Sequence, residues 1–270
     1  MTASAYLTTI SPAAEAFDRC ASAYDELFTH SLIGRAQRNQ VWPRLLAAFP
    51  TGSRILELNC GTGNDARFLA EHGRTVLACD ASSRMISVAR RRSHSADVEF
   101  LQLANEDLHR LSDRSPFDGA FSNFSGLNCV SDLKPVAADL AALLGPDARL
   151  LVCLWSRLCA AECIWYSLQG SFAKAFRRIS GHSDATIGGL RIPVFYPTVS
   201  TVREAFSPWF SLRSRQAIGL FVPPSYAEPW IRSHPNLLAT FERLDRVCAT
   251  WPIFRGLGDH VLLEFVRCNR

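Results

Sequence analysis

The stretch that most constrains this chain runs from Arg54 to Asp80, RILELNCGTGNDARFLAEHGRTVLACD. Arg54 to Leu58 reads as a buried strand with an acid, Glu57, near its end, and Cys60-Gly61-Thr62-Gly63 reads as a turn. Asp65 to His72 reads as the helix that follows, closed by Gly73, since glycine takes a left-handed conformation that other residues avoid. Thr75 to Cys79 is mostly apolar, as a strand covered by helices on both faces should be, and Asp80 ends it. A glycine turn between strand and helix, then a strand ending in a carboxylate, is how an α/β protein holds a nucleoside-bearing cofactor.

The same alternation continues on both sides. Residues 13 to 49 form a helical preface, AAEAFDRCASAYDELFTH and then Gly34 to Phe49, ended by Pro50-Thr51-Gly52. Ser82 to Arg92 is a helix capped by Ser82 or Ser83, with Met85, Ile86 and Ala89 on one face. Val98 to Leu103 and Phe117 to Phe124 are the third and fourth strands; Asp132 to Leu144 is a helix stopped by Gly145-Pro146, and Ala148 to Trp155 is the fifth strand. Such alternation predicts a parallel sheet with right-handed crossovers.

Beyond Trp155 the order changes. Ala160 to Ile179 reads as one long helix, Ser180 to Thr198 as a hairpin or extended lid around Gly188-Gly189, and Thr201 to Phe210 as a short helix. Leu212 to Gly219 is a sixth strand, Tyr226 to Arg232 and Leu237 to Thr250 are helical, and His260 to Val266 is a closing strand. The expected fold is α/β and Rossmann-like: a mostly parallel seven-stranded sheet with helices on both faces, an antiparallel edge strand, and a helical and hairpin insert between strands five and six. It divides into a preface and cofactor lid (1–50), a cofactor-binding core (51–157), an insert or substrate cap (158–211) and closing strands and helices (212–270).

Composition narrows the partners. With 270 residues, 48% of them hydrophobic, the chain buries a large core without needing to oligomerise, so a monomer or homodimer is expected. The net charge of +4 is small and spread, apart from Arg90-Arg91-Arg92, which complements a helix C-terminus. Aromatic and basic residues are not interleaved, and SNFSGLNC after strand four lacks an Asn-Pro-Pro-Tyr type of motif, so a nucleic-acid substrate fits poorly. No apolar run reaches the length of a membrane span (about 18 residues), and MTASAYLTTISPAAEAF lacks a basic segment followed by a hydrophobic core. A soluble, cytoplasmic protein is expected. The nine cysteines are odd in number and sit in apolar surroundings, which reads as reduced core residues. Cys153, Cys159 and Cys163 cross from a strand end into a helix, a poor start for a tetrahedral metal site, and no metal is expected.

Gly61-x-Gly63-x-x-Ala66 formally matches a dinucleotide fingerprint, which keeps an NAD(P)-dependent oxidoreductase open. Glu57 argues against it, because a carboxylate there would face phosphates, whereas it suits a cofactor carrying an ammonium and a sulfonium. Asn59, Cys60, Thr62 and Asn64 make the turn polar enough to contact an amino-acid moiety. Asp80 suits a ribose in either case.

On these residues the chain resembles the class I S-adenosylmethionine-dependent methyltransferases, of the small-molecule type similar to ubiquinone and menaquinone biosynthesis C-methyltransferases. Ile55 to Gly63 matches the first motif, with Asn59 where a glycine is usual. In VLACDASSRMISVAR, Asp80 looks like the ribose-binding acid, and Ala81, Ser82, Arg84 and Met85 look like the segment beside the adenine. In AYDELF, Tyr24 looks like the residue that closes over the methionine end. The adenine-contacting acid looks replaced by Ala104, leaving Asn105 or Glu106 to supply that hydrogen bond, and Ser122-Asn123-Phe124 looks like the substrate-facing strand end. The resemblance covers roughly residues 15 to 155.

It implies S-adenosylmethionine as methyl donor, S-adenosylhomocysteine as product, and in-line displacement onto a small-molecule acceptor. Outside the core, His182, Tyr196 and His30 are the available candidates for a general base. The insert's aromatic residues, including Trp165, Tyr166, Phe195, Tyr196 and Trp209, are candidates for an apolar acceptor pocket. Asn59 and Ala104, the two departures, also permit a non-catalytic cofactor-binding or scaffold protein.

Overall fold

The computed structural model describes residues 11–93 and 95–269. The segment read above for an export signal lies largely outside them. The preface is not one helix followed by another. Ser11 caps α1 (Pro12–Cys20), a π-helical turn spans Asp25–Thr29, and Ser31 caps α2 (Leu32–Ala48) by accepting from the Gly34 amide at 2.9 Å. Ser31 Oγ also donates to the Phe28 carbonyl, which ties the turn to the new helix.

The core follows as β1 (Arg54–Leu58), α3 (Asn64–Glu71), β2 (Thr75–Asp80), α4 (Ser83–Arg92), β3 (Val98–Gln102), β4 (Phe117–Ser122), α5 (Lys134–Leu143) and β5 (Leu144–Trp155). A 3-10 helix over Asn105–Arg114, unannounced by the apolar pattern, joins β3 to β4. The insert contains α6 (Ala160–Leu168), α7 (Phe172–Ala175) and a hairpin of β6 (His182–Ile187) and β7 (Leu190–Phe195). Then come α8 (Val199–Phe206), β8 (Phe210–Ile218), α9 (Glu228–Ser233), α10 (Pro235–Cys248) and β9 (His260–Arg267).

Among the described residues seven strands form one sheet in the order β3-β2-β1-β4-β5-β9-β8. β1 to β5 pair in parallel, β9 is antiparallel to β5, and the edge strand β8 pairs antiparallel with β9. Each face of the sheet carries its own core. Leu56, Phe117 and Phe265 of the sheet share one core with Leu140 of α5 and Phe206 of α8, while Ile55 and Phe121 share the other with Val41 and Leu45 of α2 and Leu69 of α3.

The expected long helix from Ala160 to Ile179 is broken after Leu168. Gly170 turns the chain with φ +70°, and Arg177 and Arg178 both bond back to Glu162 on α6. Sixteen residues of straight helix would separate residues 162 and 178 by about 24 Å, so the ion pair requires the fold-back. The helix expected over Thr201 to Phe210 ends at Phe206, because Phe210 opens β8.

Candidate functional site

A cavity of about 180 Å³ opens at the carboxyl ends of β1, β2 and β4, where parallel α/β sheets bind ligands. Its floor is the glycine turn. Asn59, Gly61 and Gly63 all have left-handed backbones, with φ 56°, 55° and 75°. Asparagine tolerates that conformation better than other side chains, which explains how it stands where the family pattern has glycine. Asn59 Oδ1 accepts from Ser122 Oγ at 3.1 Å, and a Cβ at Gly126 would collide with the Asn59 side chain. The Gly61 and Ser82 amides both donate to Asp80, each at 2.8 Å, so this carboxyl clasps the turn to the start of α4. Burial pushes Asp80 up to about 6, against the pull of those two amides.

One end of the cavity is charged. Glu57 is 2% exposed; burial, reinforced by Asp65, raises its carboxyl well above the usual range, and Arg38 opposes the shift. Asp65 accepts from Arg38 Nε at 2.9 Å, Trp42 Nε1 at 2.7 Å and Asn123 Nδ2 at 2.8 Å. The Arg38 guanidinium also lies over the Phe124 ring, 5.0 Å from its centre. Among the described residues, Glu57 Oε2 and Arg38 Nη1 are buried without a hydrogen-bond partner. A buried acceptor and a buried donor left unpaired on the lining of one cavity match the ammonium and carboxylate of an amino acid.

The other end is mixed. Ala81, Met85, Asn105 and Glu106 border it, with Met85 packed against Ala21 and Val88. Cys60 and Thr62 border the turn side, and Thr62 Oγ1 donates to the buried Asp25 at 2.6 Å, which Arg92 also pairs. Tyr24 lies over the turn: a Cβ at Gly61 would stand 3.8 Å from its ring, and burial pushes its hydroxyl up to about 12. α1 covers the opening with Pro12, Ala13, Ala14 and Phe17. Asp18 pins that cover by accepting from Ser82 Oγ at 2.6 Å and the Arg84 amide at 2.9 Å.

Of the residues singled out as cofactor contacts, Tyr24, Glu57, Asn59, Cys60, Gly61, Thr62, Asp80, Ala81, Met85, Asn105, Glu106 and Asn123 border this cavity, whereas Gly63, Ser82 and Arg84 do not. Gly63 instead caps α3, and a Cβ there would come 2.5 Å from the Phe100 ring, so its glycine serves packing. The three candidate bases stand elsewhere. His30 and His182 are exposed, and Tyr196 is buried beside Trp155 with its hydroxyl 3.2 Å from Ser183 Oγ. None of the three borders the cavity.

Nor do the insert's aromatics. Trp165 and Tyr166 pack on Tyr226, Trp165 also meets Trp230, and only Pro193 of the insert reaches the cavity wall. The apolar wall comes instead from α1 and from Phe124, Cys129 and Val130 after β4. Asn128 is structural, donating to the Phe195 carbonyl at 2.6 Å and accepting from the Trp155 amide at 3.0 Å. The sequence pattern points to a lid in the preface but to neither Arg38 nor Asp65 as site residues. Asp65 had a signal, as an acid in the first turn of the helix after the glycine turn; Arg38 had none.

Comparison with known proteins bears on the fold and on the family of its core. Residues 55–147 match the family model described as a methyltransferase domain. A demethylmenaquinone methyltransferase from Clavibacter sepedonicus is 36% identical over 141 residues, covering 52% of this chain and 56% of that protein. The chain thus spans little more than half the length of this curated relative. A putative S-adenosylmethionine-dependent methyltransferase from Listeria monocytogenes superposes with a TM-score of 0.59 at 16% identity, over 84% of this chain and 98% of that one. The N-methyltransferase NodS from Bradyrhizobium japonicum, solved with S-adenosylhomocysteine, superposes with a TM-score of 0.59 at 15% identity, over 96% of this chain and 100% of that one. The chain is therefore built on the class I S-adenosylmethionine-dependent methyltransferase fold, and residues 55–147 of its core match the methyltransferase-domain model.

Proposed function

We propose that this protein is an S-adenosylmethionine-dependent methyltransferase acting on a small, apolar or aromatic acceptor. The observation that carries the reading is the pair of unpartnered buried atoms, Glu57 Oε2 and Arg38 Nη1, at one end of the cavity. Glu57 would receive the donor's ammonium and Arg38 its carboxylate. Asp80 would accept from the ribose hydroxyls, while Ala81, Met85, Asn105 and Glu106 would hold the adenine. Asn123 acts one step removed, by fixing Asp65 and through it Arg38. When bound, the donor supplies an electrophilic methyl group on sulfur and keeps S-adenosylhomocysteine as its remainder.

The protein's own contribution is alignment and exclusion of water. Tyr24 and α1 cover the donor, and Phe17, Phe124, Cys129 and Val130 offer the acceptor an apolar wall. No histidine borders the cavity among the described residues, so positioning rather than imidazole base catalysis is the chemistry this site supports. The aromatic, quinone-like class of acceptor rests on that wall and on the name of the relative from Clavibacter sepedonicus. Calorimetry with S-adenosylhomocysteine and with NAD tests the reading: one-to-one micromolar binding of the former is expected, and binding of NAD alone would sink it. Screening quinone-like and phenolic metabolites for methyl uptake then tests the acceptor class, which fails if only charged, non-aromatic metabolites are methylated.

A further inference from the structure

A second pocket, of about 590 Å³, lies along the edge strand β8, between it, the start of α8 and the segment that leaves β5. It shares no residue with the donor cavity. Arg157, Arg203, Arg213, Arg215 and Arg255 all border it, and no Asp or Glu does among the described residues. Arg157 spends Nε and Nη1 on the carbonyls of Ile179 and Tyr196. The other four make no ion pair among the described residues, and Arg255 Nε is buried without a partner.

Charged side chains on an edge strand often serve only to prevent pairing with another sheet. Two further observations distinguish this groove from that role. Ser156 is 2% exposed, borders the pocket, and its Oγ has no partner among the described residues. The first turn of α8 also borders it through Thr198, Val199 and Ser200. Thr198 Oγ1 caps only the Thr201 amide, so the earlier amides lack an intrahelical acceptor. The neighbouring carboxylate, Glu264, is already committed to Arg44, Arg149 and Ser214. Burial lowers the Arg215 guanidinium from its ordinary range, and Arg255 lowers it further by repulsion, so the pair is short of an anion.

We infer that this groove is a binding site for the phosphate or diphosphate group of a small ligand, held by Arg215, Arg255, Ser156 and the amides that open α8. Guanidinium forks match phosphate oxygens in pairs, and a helix N-terminus adds amides and a favourable dipole. The site stands whether or not the other cavity binds a methyl donor.

Calorimetry at constant ionic strength, with inorganic pyrophosphate, orthophosphate and phenyl phosphate in separate arms, tests it. Saturable one-to-one binding is expected, weakened at least about tenfold by R215Q/R255Q. S156A, which removes an oxygen with no partner among the described residues, weakens it a few-fold without lowering the melting temperature. Tighter binding of phenyl phosphate than of orthophosphate assigns the site to an organic phosphate, and equal binding assigns it to the free anion. The inference fails if pyrophosphate shows no saturable binding, or if R91Q/R110Q, outside the groove, weakens it as much as R215Q/R255Q does.

Discussion

Neighbouring residues of α2 serve two buried charge networks, Arg38 at the cavity and Gln37 around Asp259. In the second network Arg178 reaches Glu162 at 2.6 Å and Asp259 at 2.8 Å, Arg177 adds to Glu162, and Gln37 adds to Asp259. Burial pushes Asp259 up, but neighbouring His260, Arg178 and Gln37 outweigh it and hold the carboxyl below its ordinary range. Glu57 is as deeply buried and shifts the other way, because Asp65 rather than Glu57 takes the bond from Arg38. A carboxylate buried with its cations is scaffold that joins the insert to β9. One buried with no cation bonded to it is where we propose the donor's ammonium sits.

The comparison breaks most visibly if the second network is cut. Arg178→Met leaves Glu162 and Asp259 without their shared cation, and urea unfolding should show a loss of about 3–5 kcal/mol. A loss below about 1 kcal/mol would remove the contrast between the two networks.

His260 gives the next effect. Burial lowers its imidazole to about 4, so it stays neutral beside Phe124 and Trp155. A depressed folded-state pKa contributes stability that is present above about 6.5 and lost as the pH falls through about 4, worth roughly 3 kcal/mol. Glu57, Asp80 and Asp245, raised by burial, act with the opposite sign. The signature is therefore the difference between the protein and His260→Phe: between pH 7 and pH 4 the variant should lose less stability.

Asp80 sharpens the cavity side. Asp80→Ala should weaken S-adenosylhomocysteine by about 1–3 kcal/mol, read by calorimetry at pH 7.5. Because the carboxyl titrates at about 6, affinity in the unaltered protein should decline as the pH drops below that value, when binding must first remove a proton. Asp80→Asn should reduce that decline, leaving the part carried by Glu57.

The same contrast explains what the sequence could and could not disclose. Arg54 to Asp80 is a local device: strand, left-handed turn and helix follow one another, so apolar pattern and glycine spacing specify it, and Glu57, Asp80 and the turn stand where that pattern put them. Arg38 reaches Asp65 across 27 positions and α1 reaches β7 across the cavity, and no periodicity encodes such meetings. The insert misled for a related reason. Its helical pattern continues through Gly170, but a fold-back fixed by Arg177, Arg178 and Glu162 overrides it and turns Trp165 and Tyr166 toward Tyr226. Tyr196 and His182, chosen for their chemistry, have no local feature that tells a buried packing residue or an exposed hairpin residue from a base.

Calorimetric titration of S-adenosylhomocysteine into the protein and into Glu57→Gln, with unfolding free energies for both, tests the central claim most directly. Glu57→Gln replaces a buried carboxyl whose Oε2 has no partner among the described residues and whose charge burial disfavours, so stability should hold or rise, while affinity should fall at least about tenfold as the ammonium loses its carboxylate. Equal affinities in the two proteins, or a loss of stability matching the loss of binding, would contradict the account.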